Sequence, residues 1–214
     1  MKLYGYFRSS AAFRVRIALN LKGVAYEAVP VDLLGDDQFA AGFTAVNPQA
    51  RVPALAVGDR VLVQSMAILE WLEETYPQPP ILPADPFARA RVRGLADLIA
   101  CDIHPLDNLA VMRYLAGLLG QDKAAERAWY RHWIVLGFTA LEAMLAGSAE
   151  TGRFCHGDAP GLADICLVPQ VFNAQRARID LAPYPTLMRV FDACMAEPAF
   201  DAAQPSKQPE AAAD

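Results

Sequence analysis

The chain has 214 residues, 54% of them hydrophobic and 20% charged, and its 24 Asp and Glu outnumber its 19 Lys and Arg for a formal net charge of −5. That length buries a core in one large or two small domains. The acidic balance, with no run of four Lys or Arg, argues against binding along nucleic-acid phosphates, which takes an excess of cations. The most apolar stretch, residues 133–141, is about half of what a membrane span needs. Arg8 interrupts the amino terminus before a signal-peptide core forms. The expectation is a cytoplasmic protein with neither a nucleic-acid nor a membrane partner. Thiols stay reduced in that compartment. Cys101, Cys155, Cys166 and Cys194 form no Cys-x-x-Cys pair and lie near no His at ligand spacing. They read as buried or incidental thiols, and no metal is expected.

Residues 2–6 read as a short aromatic strand. Residues 12–22 place Phe13, Ile17 and Leu21 at four-residue spacing, a helix that Gly23 stops. Residues 26–31 are strand-like again, and 38–45 are a weaker helix or a single turn of one. Residues 52–57 and 60–63 flank Gly58-Asp59, a hairpin signal in which glycine supplies the positive φ. Ser65 is expected to cap a helix over 66–75 that carries Ile68, Leu69 and Leu72 on its apolar face. A β-α-β unit followed by α and then β-β-α implies parallel pairing through a helical crossover, with the hairpin adding antiparallel strands.

Residues 76–86, YPQPPILPADP, hold five prolines, which remove backbone donors and fix φ. Beyond them only helical periods appear: 87–119, interrupted at His104-Pro105, then 124–146, 162–177 and 184–196. The tail from Asp201 has no apolar face and is expected to be disordered. The expected organisation is a small α/β domain over 1–80, a Pro-rich linker over 81–86, an all-helical domain over 87–200 and a tail over 201–214.

Four segments then stand out: RSSAAFRVRIALNLKGV at residues 8–24, NPQARVPAL at 47–55, the Gln64-Ser65 pair before a helix, and DIHPLDN at 102–108. Together they closely resemble the zeta class of glutathione transferases, the class of the maleylacetoacetate and maleylpyruvate isomerases. The resemblance runs from Met1 to about Phe200. It implies the glutathione transferase fold, an α/β thioredoxin-like N-terminal domain followed by an all-α C-terminal domain. It also implies a homodimer, glutathione as cofactor and a small dicarboxylate as substrate.

Ser9 and Ser10 stand where the first strand turns into the first helix, and a helix N-terminus exposes unpaired N–H groups and partial positive charge. N-capping is one role for such a serine. The resemblance implies another: Ser9 donates to the glutathione sulfur, with Ser10 in support. Zeta enzymes usually read Arg-Ser-Ser-Cys here, and this chain has Ala11 in place of the cysteine. That change bears on glutathione affinity and substrate preference rather than on activation by serine. By the same resemblance Pro53 is the cis-proline of thioredoxin-like folds and Val52 presents its backbone to the cysteinyl part of glutathione. Gln64 and Ser65 hold the γ-glutamyl end, Gln38 reaches the glycyl end, and His104 and Asn108 contribute to the glutathione and substrate sites. Arg8 and Arg176 are assigned to substrate carboxylates, which suit a planar guanidinium. Arg14 and Arg16, about 200° apart around a helix, are read as structural, as is Asp164, three residues after Gly161 where the family usually has Ser or Thr.

The implied reaction is cis–trans isomerisation of a cis-enone diacid such as maleylacetoacetate: the thiolate adds, the former double bond rotates, and elimination returns the thiolate. A transferase that displaces halide from small α-halo acids uses the same residues. A non-catalytic binding protein of the same fold is the third alternative.

Overall fold

The computed structural model describes residues 1–213, which divide into two units: residues 1–80 together with the segment from Met195, and Ile81–Cys194. In the first, β1 (Lys2–Gly5) leads through a tight turn into α1 (Ser10–Leu21) and then β2 (Glu27–Pro30), which pairs in parallel with β1. A turn of 3-10 helix over Asp37–Phe39 and the short α2 (Ala41–Thr44) follow. Next come the antiparallel pair β3 (Ala54–Val57) and β4 (Arg60–Val63), and α3 (Ser65–Thr75). The sheet order is β2-β1-β3-β4, with the parallel and antiparallel pairings expected from the element order. Gly58 takes φ +59 in the hairpin and Gly23 φ +63 just past α1, conformations that glycine adopts without steric cost.

Every residue of α1 from Ala12 to Leu19 is buried, so this helix is covered on all sides. One cover is α3, whose Ile68, Leu69 and Leu72 are wholly buried. Lys22, at the end of α1, pairs with Glu73 at 2.8 Å and donates to the Tyr76 and Pro79 carbonyls, which fixes the chain leaving α3.

The second unit is helical: α4 (Pro86–Asp97), α5 (His104–Asp107), α6 (Leu109–Gly117), α7 (Lys123–Ala146), α8 (Leu162–Arg176) and α9 (Pro185–Met195). Asp85 caps α4 by accepting from the Ala88 N–H at 2.8 Å, and Pro86 opens it. The single helical period over 87–119 is divided in the structure by a π-helical turn at Leu98–Ile103 and by extended backbone at Asn108. Pro105 lacks the N–H that an unbroken helix requires. Close packing is evident at Gly137 of α7, where a Cβ would lie 2.3 Å from Ile103 Cδ1. Ile81 and Leu82, expected as linker, are buried, and the Ile81 carbonyl accepts from Leu162 N–H at 2.8 Å. Two apolar side chains among the prolines are enough to seat that segment. No helix among the described residues is long and apolar enough to cross a membrane.

Central to this unit is α8, buried from Leu162 through Val171. The Asp164 carboxylate accepts from the Cys155 N–H at 2.9 Å and from the Gly161 N–H at 2.8 Å. The second bond is half of a capping box; Gly161 has no side chain to complete it. Burial pushes the Asp164 carboxyl up, against these two bonds, and burial with the nearby Asp164 charge pushes the Cys155 thiol well up.

The segment from Met195 returns to the first unit. The helix α10 (Pro198–Ala202) packs on α1 with Phe200 wholly buried, and the tail expected to be disordered from Asp201 is seated at its start. Arg16 Nε donates to the Ala203 carbonyl at 3.0 Å, Asn20 donates to the Ala199 carbonyl, and Lys207 pairs with Asp201. Short 3-10 turns follow at Pro205–Lys207 and Pro209–Ala213, and residue 214 of the expected tail lies outside the described residues.

Two outcomes are expected. Asp164→Ala leaves one buried and one half-buried N–H group without an acceptor and should cost about 2–5 kcal/mol; a urea midpoint equal to the parent's would contradict it. Cys101 is exposed while Cys155, Cys166 and Cys194 are buried. A chromogenic thiol reagent should therefore titrate one cysteine rapidly in the native chain and the other three only on unfolding. Rapid reaction of more than one would show that the buried set is accessible.

Candidate active site

Strand pairing gathers the sequence-predicted residues of the first unit at one end of the sheet. Because β1 and β3 are antiparallel with Tyr4 opposite Ala54, the chain leaving β1 toward Ser9 lies beside the chain entering β3 through Val52 and Pro53. Ala54 also pairs with Val63, so Gln64 and Ser65 emerge at the same end. The parallel pair β1–β2 brings out the loop that carries Gln38 there as well. The N-termini of α1 and α3 both sit at this end, and each contributes unpaired N–H groups and partial positive charge.

Ser9 is the N-cap of α1: its backbone is extended (φ −70, ψ 118) and its Oγ accepts from the Ala12 N–H at 3.2 Å. Capping uses a lone pair and leaves the hydroxyl hydrogen as a donor, so capping and ligand binding are compatible at this residue. Ser10 is buried in the first turn, Ala11 is half-buried beside it, and Arg8 is exposed with its guanidinium 4.9 Å from the Phe7 ring centroid. The Val52-Pro53 peptide is cis, Pro53 is buried and Val52 half-buried.

At α3 the local arrangement differs from the sequence expectation. Ser65 is the first residue of the helix rather than its cap; the N-cap is Gln64, at φ +69, with no side-chain capping bond. A non-glycine residue in that region is strained, by about 1–3 kcal/mol. The Gln64 amide instead donates to Gln49 Oε1 at 2.9 Å. Ser65 is buried, and its Oγ accepts from Arg14 Nη1 at 3.3 Å. Neither Gln49 nor Arg14 was singled out for this site by spacing, although Arg14 follows Ser10 by four residues and so shares its helical face. Gln38 is buried, with Nε2 donating to Asp36 Oδ1 at 3.1 Å and Oε1 without a hydrogen-bond partner among the described residues. Arg16 points elsewhere, to the Phe7 and Ala203 carbonyls, and burial lowers its pKa to about 10.

In the second unit, His104 opens α5 and is half-buried. Asn108 caps α6: its Oδ1 accepts from the Ala110 and Val111 N–H groups, and its Nδ2 donates to the Pro105 carbonyl at 2.6 Å. Its amide is thus committed on both sides to the chain itself. Arg176 ends α8 exposed, with Nη2 3.4 Å from Asn173 Oδ1 and 3.5 Å from the Tyr130 hydroxyl. Burial, reinforced by Asp107 and offset in part by Arg176, pushes Tyr130 up to about 12. It stays a neutral hydroxyl beside the guanidinium and takes none of its charge. No group of three His, Cys, Asp or Glu among the described residues is placed to hold a metal ion.

This end of the sheet therefore offers hydroxyl and main-chain donors, two helix N-termini and a cation, a set that suits an anionic peptide-like ligand.

Known proteins resemble this chain over nearly its whole length. Residues 1–74 match the glutathione S-transferase N-terminal domain. The chain is 50% identical over 212 residues, 99% of its own length and all of the relative's, to the maleylpyruvate isomerase of a Ralstonia species. Among solved structures it is similar to a holo maleylpyruvate isomerase described as a bacterial zeta-class glutathione S-transferase, with a TM-score of 0.96, 50% identity and coverage of 98% and 99% of the two chains. It is also similar to the maleylacetoacetate isomerase of Methylobacterium extorquens AM1 with bound malonate and glutathione, with a TM-score of 0.95, 47% identity and 98% coverage of each chain. At this extent of identity over nearly its whole length, the chain belongs to the zeta class of the glutathione S-transferase family.

Proposed function

We propose that this protein is a glutathione-dependent cis–trans isomerase of a cis-enone dicarboxylate of the maleylacetoacetate or maleylpyruvate type, acting in the catabolism of aromatic compounds as a cytoplasmic homodimer. The observation that carries the reading is Ser9, held as the N-cap of α1 with its hydroxyl hydrogen uncommitted by the capping bond. The solved relative with malonate and glutathione bound supports a dicarboxylate substrate together with that cofactor. In this reading residues 1–80 are the glutathione-binding domain, and the helical domain contributes to the dicarboxylate.

Glutathione, when bound, supplies a thiolate that adds to the conjugated system and leaves again. The task of the protein is to hold that sulfur ionised and the substrate oriented. Ser9 donates a hydrogen bond to the sulfur, and the N-terminus of α1 places partial positive charge behind it. A free thiol with pKa near 8.5 is about 3% ionised at pH 7; a depression of about one to two units raises this to between about 25% and 75%. Ser10 supports the first turn. Val52 offers its backbone N–H and C=O to the cysteinyl part, and Gln64 and Ser65 hold the γ-glutamyl end at the N-terminus of α3. Gln38 is assigned to the glycyl end, where its unpartnered Oε1 accepts a hydrogen bond. His104 and Asn108 keep the assignment that the resemblance gives them, as ligand-binding residues of the helical unit, Asn108 through the helix start that it caps. Arg8 and Arg176 are each suited to a substrate carboxylate, and Arg176 is left available by a neutral Tyr130.

The test is isomerisation of both substrates side by side by the parent and by Ser9→Ala. The variant should lose about 100-fold in kcat/KM, and its rate should rise with pH about one unit later than the parent's, because the thiol keeps its proton to higher pH. A Ser9→Ala protein that isomerises at the parental rate would overturn the assignment.

A further inference from the structure

Among the described residues the buried cations are matched, with one exception. Lys22 closes on Glu73 and two carbonyls, and Arg16 donates to two carbonyls. Arg14 is 1% exposed, yet it makes a single hydrogen bond, from Nη1 to Ser65 Oγ at 3.3 Å. Its Nε and Nη2 are buried without a hydrogen-bond partner among the described residues. A buried charge left this way is destabilising, and replacement by an apolar side chain of similar volume is often neutral or favourable. Stability alone does not account for an arginine here.

The position of the guanidinium supplies a reason. It lies against the first residue of α3, at a helix start whose N-cap, Gln64, offers no side-chain bond and sits at φ +69. By donating to Ser65 Oγ, Arg14 fixes that oxygen as an acceptor on its inner side and turns the hydroxyl hydrogen outward as a donor. Three features of one sign then converge: the orphan N–H groups of an eleven-residue helix, an outward-pointing hydroxyl, and a full positive charge in a low-dielectric setting where it is weakly screened. An anion at this helix start would be complementary to all three.

We propose that Arg14 is a positioning residue of the glutathione site, holding Ser65 from beneath α3 and supplying the charge that selects the α-carboxylate of the γ-glutamyl group. The inference rests on the reading that glutathione binds with that group at the start of α3. Arg14 acts through Ser65 and through its field, not by contact with the reacting sulfur.

The probes are glutathione and an analogue in which 4-aminobutyryl replaces the γ-glutamyl group, so that only the α-carboxylate is missing. Calorimetric titration of the unaltered chain should show at least tenfold tighter binding of glutathione. Arg14→Met and Arg14→Gln both remove the charge, one with an apolar and one with a polar stem, and whichever keeps a cooperative melting transition is read. The expected result is loss of most of that preference, with the affinity for the analogue unchanged within about twofold and, for Arg14→Met, a melting temperature equal to or above the parent's. A preference that survives the substitution overturns the proposal for Arg14 alone. So does equal weakening of both ligands together with a lowered melting temperature, which is the signature of a merely structural residue. Failure of the unaltered chain to bind glutathione counts against the functional reading itself, and the proposal falls with it.

Discussion

The complete burial of α1 is the constraint on which the rest of the first unit depends. A helix covered from Ala12 to Leu19 cannot shift without disturbing α3 and the returning C-terminal segment, and its Ala12 lies close against Gly5 of β1. Its N-terminus is therefore a fixed point, and Ser9 is held at that point by the backbone as well as by its own capping bond. Precision of this kind matters because a hydroxyl acts on a sulfur only at hydrogen-bond distance, and a small misplacement is costly in rate. The same burial forces two arginines into the interior. Arg16 secures the C-terminal segment and Arg14 reaches the start of α3, so packing and site chemistry share one helix.

Net charge says little about such a site. The chain carries −5 overall, while the end of the sheet that carries the site residues is built from helix N-termini, hydroxyls and a buried guanidinium. Local field, not the sum, sets the charge of the ligand that such a site favours. The chain also provides no cysteine beside Ser9, so in the proposed reaction the nucleophile arrives with the cofactor and the protein supplies placement and electrostatics. Three of its own four thiols are spent on packing, around Asp164 in the case of Cys155.

Much of this was legible in the sequence because it depends on short-range patterns. Apolar periods gave the strands and helices, Gly58-Asp59 marked the hairpin, and Gly23 marked the end of α1. The features that were not legible depend on distant partners. Arg16 and Ala203, 187 residues apart, seat a segment that looks featureless by composition. Ser65 loses its capping role because Gln64 takes a positive φ, a conformation that no local pattern in a non-glycine residue announces. Arg14 reads as structural until Ser65, 51 residues away, is seen against it. The long helical period over 87–119 concealed a π-helical turn, since apolar spacing is nearly the same on either side of it. Of the site itself, the serines and the Gln64-Ser65 pair were visible through resemblance and position. Their supports, Gln49, Arg14 and Tyr130, were not, because nothing in their immediate neighbours sets them apart.

In the proposed reaction glutathione serves this protein as a catalyst rather than as a reactant. The direct measurement is a mass balance with limiting glutathione and a large excess of the cis dicarboxylate, counting trans product and free thiol together. Product should appear many times in excess of glutathione with the thiol undiminished. Thiol lost one for one with product would contradict it and make the protein a transferase.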